Sequence, residues 1–164
     1  MCSSDLIAEA VGVCGAERLG HGVRIVDDIV TGPDGDHRLG ALASRLRDRA
    51  VPLEVCPSSN VHTGAVPAIG DHPVAVLMAA GFLVTVNTDN RLMSSTTTSG
   101  ELALLAATFG LGWDDIERLT VDAAHSTFQP AEARRRLVDD VIRPGFAALR
   151  SAGANGVGGP GQPA

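Results

Sequence analysis

The chain has 164 residues, 45% of them hydrophobic, and carries 13 basic residues, all arginine, against 19 acidic ones. That length suits one globular domain with a real core, and the net charge of −6 argues against nucleic acid or an anionic membrane surface as a partner. No apolar run is long enough to span a bilayer and no secretory segment opens the chain, so the expectation is a cytoplasmic protein.

In chain order, three units repeat one grammar. The first strand lies in AERLGHGVRI (16–25), and a helix follows near 36–50 with Leu39, Leu42, Ala43, Leu46 and Ala50 on one face and Asp36 as its N-cap. The second strand lies in VPLEVCPSSN (51–60). DHPVAVLMAAG (71–81) supplies its helix, with Asp71 capping, Pro73 in the first turn and Gly81 as the stop. The third strand lies in FLVTVNTDN (82–90), and TSGELALLAATFG (98–110) follows, where Thr98 and Glu101 have capping-box spacing and Gly110 ends the helix. Two more helices are predicted, from Asp114 to His125 and from Pro130 to Val141; the Gly- and Pro-rich 151–164 is expected to be an unstructured tail. Alternating near-continuous apolar strands with helices predicts a parallel α/β fold. Cys2, Cys14 and Cys56 form no CxxC pair and read as reduced thiols.

The predicted strand ends share a property. The first ends on His21 between Gly20 and Gly22, the second on Ser58, Ser59 and Asn60, the third on Asp89 and Asn90. In parallel α/β folds the ligand lies at the carboxyl ends of the strands. His21 is suited to proton transfer or to ending a strand, Asp89 to a divalent metal or a turn, and Asn90 to a planar heterocycle or a turn. His37, His62 and His72 sit in loops or helix starts and are not expected to be ligands; His125 reads as a cation near a helix end.

RLGHGVRI, LEVCPSSN, AGFLVTVNTDN and LTVDAAHSTF, in that order, resemble the adenosine deaminase family from about Leu6 to Leu149. The resemblance implies part of a zinc-dependent (β/α)8 TIM barrel, about its last three βα units plus the closing carboxyl-terminal helices. The family hydrolyses adenosine and 2'-deoxyadenosine to inosine or 2'-deoxyinosine and ammonia. By the same resemblance His21 is the catalytic histidine that meets the metal-bound water. Asp89 is a zinc ligand that orients the water, and Asn90 stands where many members have an aspartate bonded to purine N7. Asn is chemically acceptable there, because its amide donates directly to an acceptor nitrogen.

The family's HxH pair and HAGE-like motif, which carry three more zinc ligands and the acidic proton donor, do not occur in this chain. The resemblance puts the second of them just upstream of Met1. The expectation is therefore a carboxyl-terminal half (7–150), inactive by itself, whose unclosed barrel edges favour self-association. MCSSDL (1–6) has no counterpart in the family pattern. Back-translated from a GTG start it reads as the end of a common sequencing adapter, and it is expected to be a non-native leader. Two other readings stand beside this one: a sister deaminase acting on adenine or aminodeoxyfutalosine, and a non-catalytic half-barrel that binds a partner.

Overall fold

Helix α1 (Ser4–Gly12) opens the computed structural model, which describes residues 4–155. It buries Ile7 and Val11 in the core, so residues 4–6 of the expected leader are helical, while residues 1–3 and 156–164 lie outside the described residues. Strand β1 (Leu19–Gly20) is much shorter than the stretch predicted for it. Its chain turns away at once into a short 3-10 segment, Val23–Asp28, that buries Val23 and Ile25.

The predicted helix at 36–50 needs correction. Its first residues belong to an antiparallel hairpin, β2 (Ile29–Thr31) and β3 (His37–Leu39), and helix α2 covers only Ala41–Asp48. Asp36 closes the hairpin turn, its carbonyl accepting from the Gly32 amide at 2.8 Å. Asp28 takes over the capping role: its carbonyl accepts from the Gly40 amide at 2.7 Å, and its Oδ2 accepts from the Ala43 amide at 2.8 Å. A β-carbon at position 40 would run into that same carboxylate, so glycine is required there.

Strand β4 (Leu53–Val55) also stops early, because Pro57 starts helix α3 (Pro57–His62). Ser58, Ser59 and Asn60 are therefore the first turn of a helix and not the end of a strand. Helix α4 (Val74–Ala79) leads through Gly81, at φ 82°, into β5 (Val84–Val86). Helix α5 (Arg91–Ser94) is a single turn. In α6 (Thr98–Phe109) the cap is Thr97, whose hydroxyl accepts from the Gly100 amide at 3.0 Å, and Glu101 turns inward instead of completing a capping box.

The three parallel strands pair in the order β1-β4-β5, Leu19 opposite Leu53 and Leu53 opposite Val84. Leu53, Val55, Val84 and Val86 are all buried, in one core with Leu46 of α2, Leu77 of α4 and Leu105 of α6. Each such side chain contributes roughly 1.5–3 kcal/mol by leaving water. Helix α7 (Trp113–His125) starts one residue before the prediction, packs on β5 and buries Leu119 and Ala124. The final predicted helix is longer than expected. Helix α8 (Ala131–Arg136) passes through a π-helical stretch, Leu137–Ile142, into α9 (Arg143–Asn155), which enters the segment read as tail. Arg150 ties α9 to α7 by bonding Glu117 and Asp114, and Trp113 meets Phe146 edge to face at 6.3 Å. Among the described residues the sheet is an open arc, not a closed barrel.

Candidate functional site

Sheet register delivers the exits of all three strands to one edge. The His21 amide donates to the Glu54 carbonyl at 2.9 Å, and the Asn87 amide donates to the Val55 carbonyl at 2.9 Å, so each ladder continues one residue past its strand. His21 then takes φ 62° and Asp89 takes φ 54°. Both are left-handed conformations that non-glycine residues seldom adopt and that concentrate at functional sites. The two turns aim the side chains at each other. His21 Nε2 and Asp89 Oδ2 lie 3.7 Å apart, too far for a direct hydrogen bond.

Helix α3 fills the space between them. Ser59 Oγ donates to Asp89 Oδ2 at 2.6 Å, while Asp89 Oδ1 has no hydrogen-bond partner among the described residues. Asn60 is fully buried. Its Oδ1 accepts from the Cys56 amide at 3.2 Å and meets His72 Nε2 at 3.1 Å, and its Nδ2 lies 3.1 Å from His21 Nδ1. A cavity of about 190 Å³ opens beside this cluster, bordered by Gly20, His21, Arg24, Asn60 and Thr63.

Asn90 follows Asp89 and caps α5, its Oδ1 accepting from the Met93 amide at 3.2 Å. That fixes which end of the amide is spoken for: the oxygen is used and the Nδ2 donors remain available. Sequence reasoning gave no role to Ser59, Asn60 or His72. The first two were visible as polar residues in PSSN but were assigned to a strand. His72 was read as a helix-start bystander, yet it is 2% exposed. The dipeptide His72-Pro73 directly before an apolar helix was the available signal, since a helix start there faces the strand edge.

Burial dominates the electrostatics. It lowers the His72 pKa from 6.5 to about 4, against the upward pull of the Glu101 carboxylate. It raises the Cys56 thiol to about 12, reinforced by the charges of Asp89 and Glu101. Cys56 is therefore a packed thiol and not a nucleophile at neutral pH.

Among the described residues no three His, Cys, Asp or Glu side chains converge to hold a metal ion. Asp89 offers one free carboxylate oxygen, which suits a single ligand position, whereas a catalytic zinc site draws on three or more protein ligands. This chain alone does not fit zinc.

The profile of the family described as adenosine deaminase matches residues 1–144. An adenosine deaminase of Mycobacteroides abscessus is 59% identical over 143 residues, which make up 87% of this chain and 40% of that protein. The chain thus spans about two fifths of the length of such relatives. Among solved structures, an adenine deaminase from Arthrobacter aurescens superposes with a TM-score of 0.77 at 26% identity, covering 89% of this chain and 41% of the other. An amidohydrolase from Burkholderia ambifaria, solved with bound Zn, gives 0.77 at 19% identity, covering 94% and 40%. These partial superpositions identify the open arc as part of a TIM barrel. With the strand-end residues in place and a profile match running over most of its length, the chain belongs to the adenosine deaminase family.

Proposed function

We propose that this chain is the carboxyl-terminal part of an adenosine deaminase and that it contributes His21, Asp89 and Asn90 to the active site of the complete barrel. The observation that carries the reading is the 3.7 Å approach of His21 and Asp89 from two non-adjacent strands, each through a left-handed backbone. Identity of 59% to an adenosine deaminase, against 26% to an adenine deaminase, favours the nucleoside as substrate.

The roles follow from atoms. In the complete barrel Asp89 Oδ1 would supply one of the ligands to zinc, and the chemistry that ion would supply is to lower the pKa of water toward neutrality. Ser59 holds Oδ2 of the same carboxylate in place. His21 directs its ring into the gap beside Asp89, where an oxygen serving the hydrolysis would lie. Asn90 keeps an N–H free to donate to purine N7. Without HxH, HAGE and the acid they carry, the 164-residue chain has no activity of its own.

The test has two stages. The chain is incubated with adenosine and zinc and the loss of adenosine absorbance is followed; turnover above a heat-killed control would place the metal site elsewhere. The upstream part of the Mycobacteroides abscessus relative is then fused in front of residue 7 to complete the barrel. In that chimera Asp89→Ala loses zinc and activity together. His21→Ala keeps zinc and loses rate by roughly 10²–10⁴-fold, the usual contribution of a positioned acid–base group. Zinc content unchanged in Asp89→Ala would sink the assignment.

A further inference from the structure

Four side chains line up from the core to the strand edge: His72, Asn60 and His21, joined by hydrogen bonds, and Asp89, 3.7 Å beyond His21 Nε2. Backbone amides anchor the line at two points, and those anchors decide where every proton in it sits. The Val74 amide donates to His72 Nδ1 at 3.2 Å, so that nitrogen is an acceptor and the ring proton of His72 is on Nε2. The Cys56 amide donates to Asn60 Oδ1, so that atom is the carbonyl oxygen, and it also receives the His72 Nε2 proton at 3.1 Å. The other end of the Asn60 amide is then an NH2 group, and it faces His21 Nδ1 at 3.1 Å. An amide N–H can only donate there, so Nδ1 of His21 accepts and its ring proton is on Nε2, the atom directed at Asp89.

We propose that His72 and Asn60 are positioning residues that fix the ring proton of His21 on Nε2, so that His21 meets the oxygen beside Asp89 as a hydrogen-bond donor. The buried location of both residues supports the assignment: Asn60 is 0% and His72 is 2% exposed, and although Asn60 borders the cavity, both polar atoms of its amide are already engaged by Cys56, His72 and His21. A buried amide with all its polar atoms matched is a rigid orienting element. Its catalytic meaning rests on the deaminase reading above; the placement of the proton does not.

The test reads the proton directly. The 164-residue chain is labelled with 15N at its histidine rings and measured by magic-angle-spinning NMR near pH 8, a method indifferent to oligomeric state. The His21 signals are assigned by their loss in His21→Gln. Unmodified His21 is expected to show an unprotonated Nδ1 and a protonated Nε2. In Asn60→Asp the carboxylate still accepts from the Cys56 amide and from His72, but it can no longer donate. The His21 Nδ1 signal is then expected to become that of a protonated nitrogen. A protonated Nδ1 in the unmodified chain overturns the proposal, as does an Nδ1 that stays unprotonated in Asn60→Asp. In the chimera, Asn60→Asp should lower kcat by about 10–100-fold, the usual effect of removing a partner that orients a site residue, with zinc content unchanged. If the chimera proves inactive while the NMR result holds, the deaminase reading fails and the placement of the His21 proton stands.

Discussion

Ser59 and Asp89 are joined by a 2.6 Å hydrogen bond that links the first turn of α3 to the exit of β5. The bond holds one carboxylate oxygen and leaves the other unpartnered among the described residues, so it dictates which oxygen of Asp89 is presented. In the zinc-loaded chimera Ser59→Ala should weaken zinc by about 10–100-fold, as loss of a partner that orients a metal ligand commonly does. Competition with a chromophoric chelator measures this. An unchanged affinity would mean that Asp89 is oriented by something other than Ser59.

His72 makes stability depend on pH in a definite direction. Its folded pKa of about 4 lies below the ordinary 6.5, so between those values the unfolded chain binds a proton that the folded chain refuses. Stability is complete above about pH 6.5, falls as the pH drops toward 4, and loses about 3 kcal/mol over that window. Urea unfolding at a series of pH values should show the decline, and His72→Gln should flatten it. A decline of equal size in the variant would assign the effect to other groups.

Glu101 is 1% exposed, and its Oε2 accepts from the Ser58 amide at 3.0 Å, which caps α3 from the neighbouring helix α6. Replacing it with alanine strands a backbone N–H in the core and should cost about 1–3 kcal/mol. Glu101→Gln keeps an acceptor of the same shape, and its new NH2 group is available to the position where Oε1 has no partner. The glutamine variant should therefore be the more stable of the two by chemical denaturation. The reverse order would show that the acceptor for the Ser58 amide is not what Glu101 contributes to stability.

The two described cysteines should react very differently. Cys14 is exposed, whereas Cys56 is buried with its thiol raised to about 12. Iodoacetamide at pH 8 should modify Cys14 rapidly and leave Cys56 intact until the chain unfolds, as read by peptide mass spectrometry. Equal rates on the native chain would show that the strand edge opens freely.

The open arc carries its own prediction. The β1-β4-β5 sheet ends at β1 without a further partner strand among the described residues, and Val13, Val30, Leu92 and Met93 are all exposed. Uncovered strand edges recruit other chains. Light scattering should return a mass above the 16.8 kDa of one chain. A clean monomer would contradict this.

Much of this architecture was legible from residue patterns. Apolar runs at 51–55 and 82–86 announced parallel strands, Gly81 and Gly110 marked real turns, and His21 and Asp89 meet where strand-end reasoning put them. Two of the misreadings share a cause, which is capping supplied from a distance. Asp36 had the right chemistry to begin α2, but Asp28 reaches that helix across the hairpin and does so instead. Glu101 had capping-box spacing with Thr98, yet Thr97 caps and Glu101 serves α3. The line through Asn60 and His72 was hidden for a similar reason. Its members come from α3 and the approach to α4, and nothing local distinguishes a buried histidine that aligns an amide from one in a loop.

The left-handed backbones of His21 and Asp89 bear on how these positions tolerate change. A non-glycine residue in that region is disfavoured by roughly 1–2 kcal/mol, so glycine at either position should relax the fold. Asp89→Gly should thus be more stable than Asp89→Ala by about 1 kcal/mol, although both lack the carboxylate. Histidine and aspartate at these turns are choices the backbone alone would not make. A lineage relieved of the chemistry would be expected to drift toward glycine at both, which makes the pair a marker, readable from sequence alone, for whether a copy of this fold still serves a working barrel.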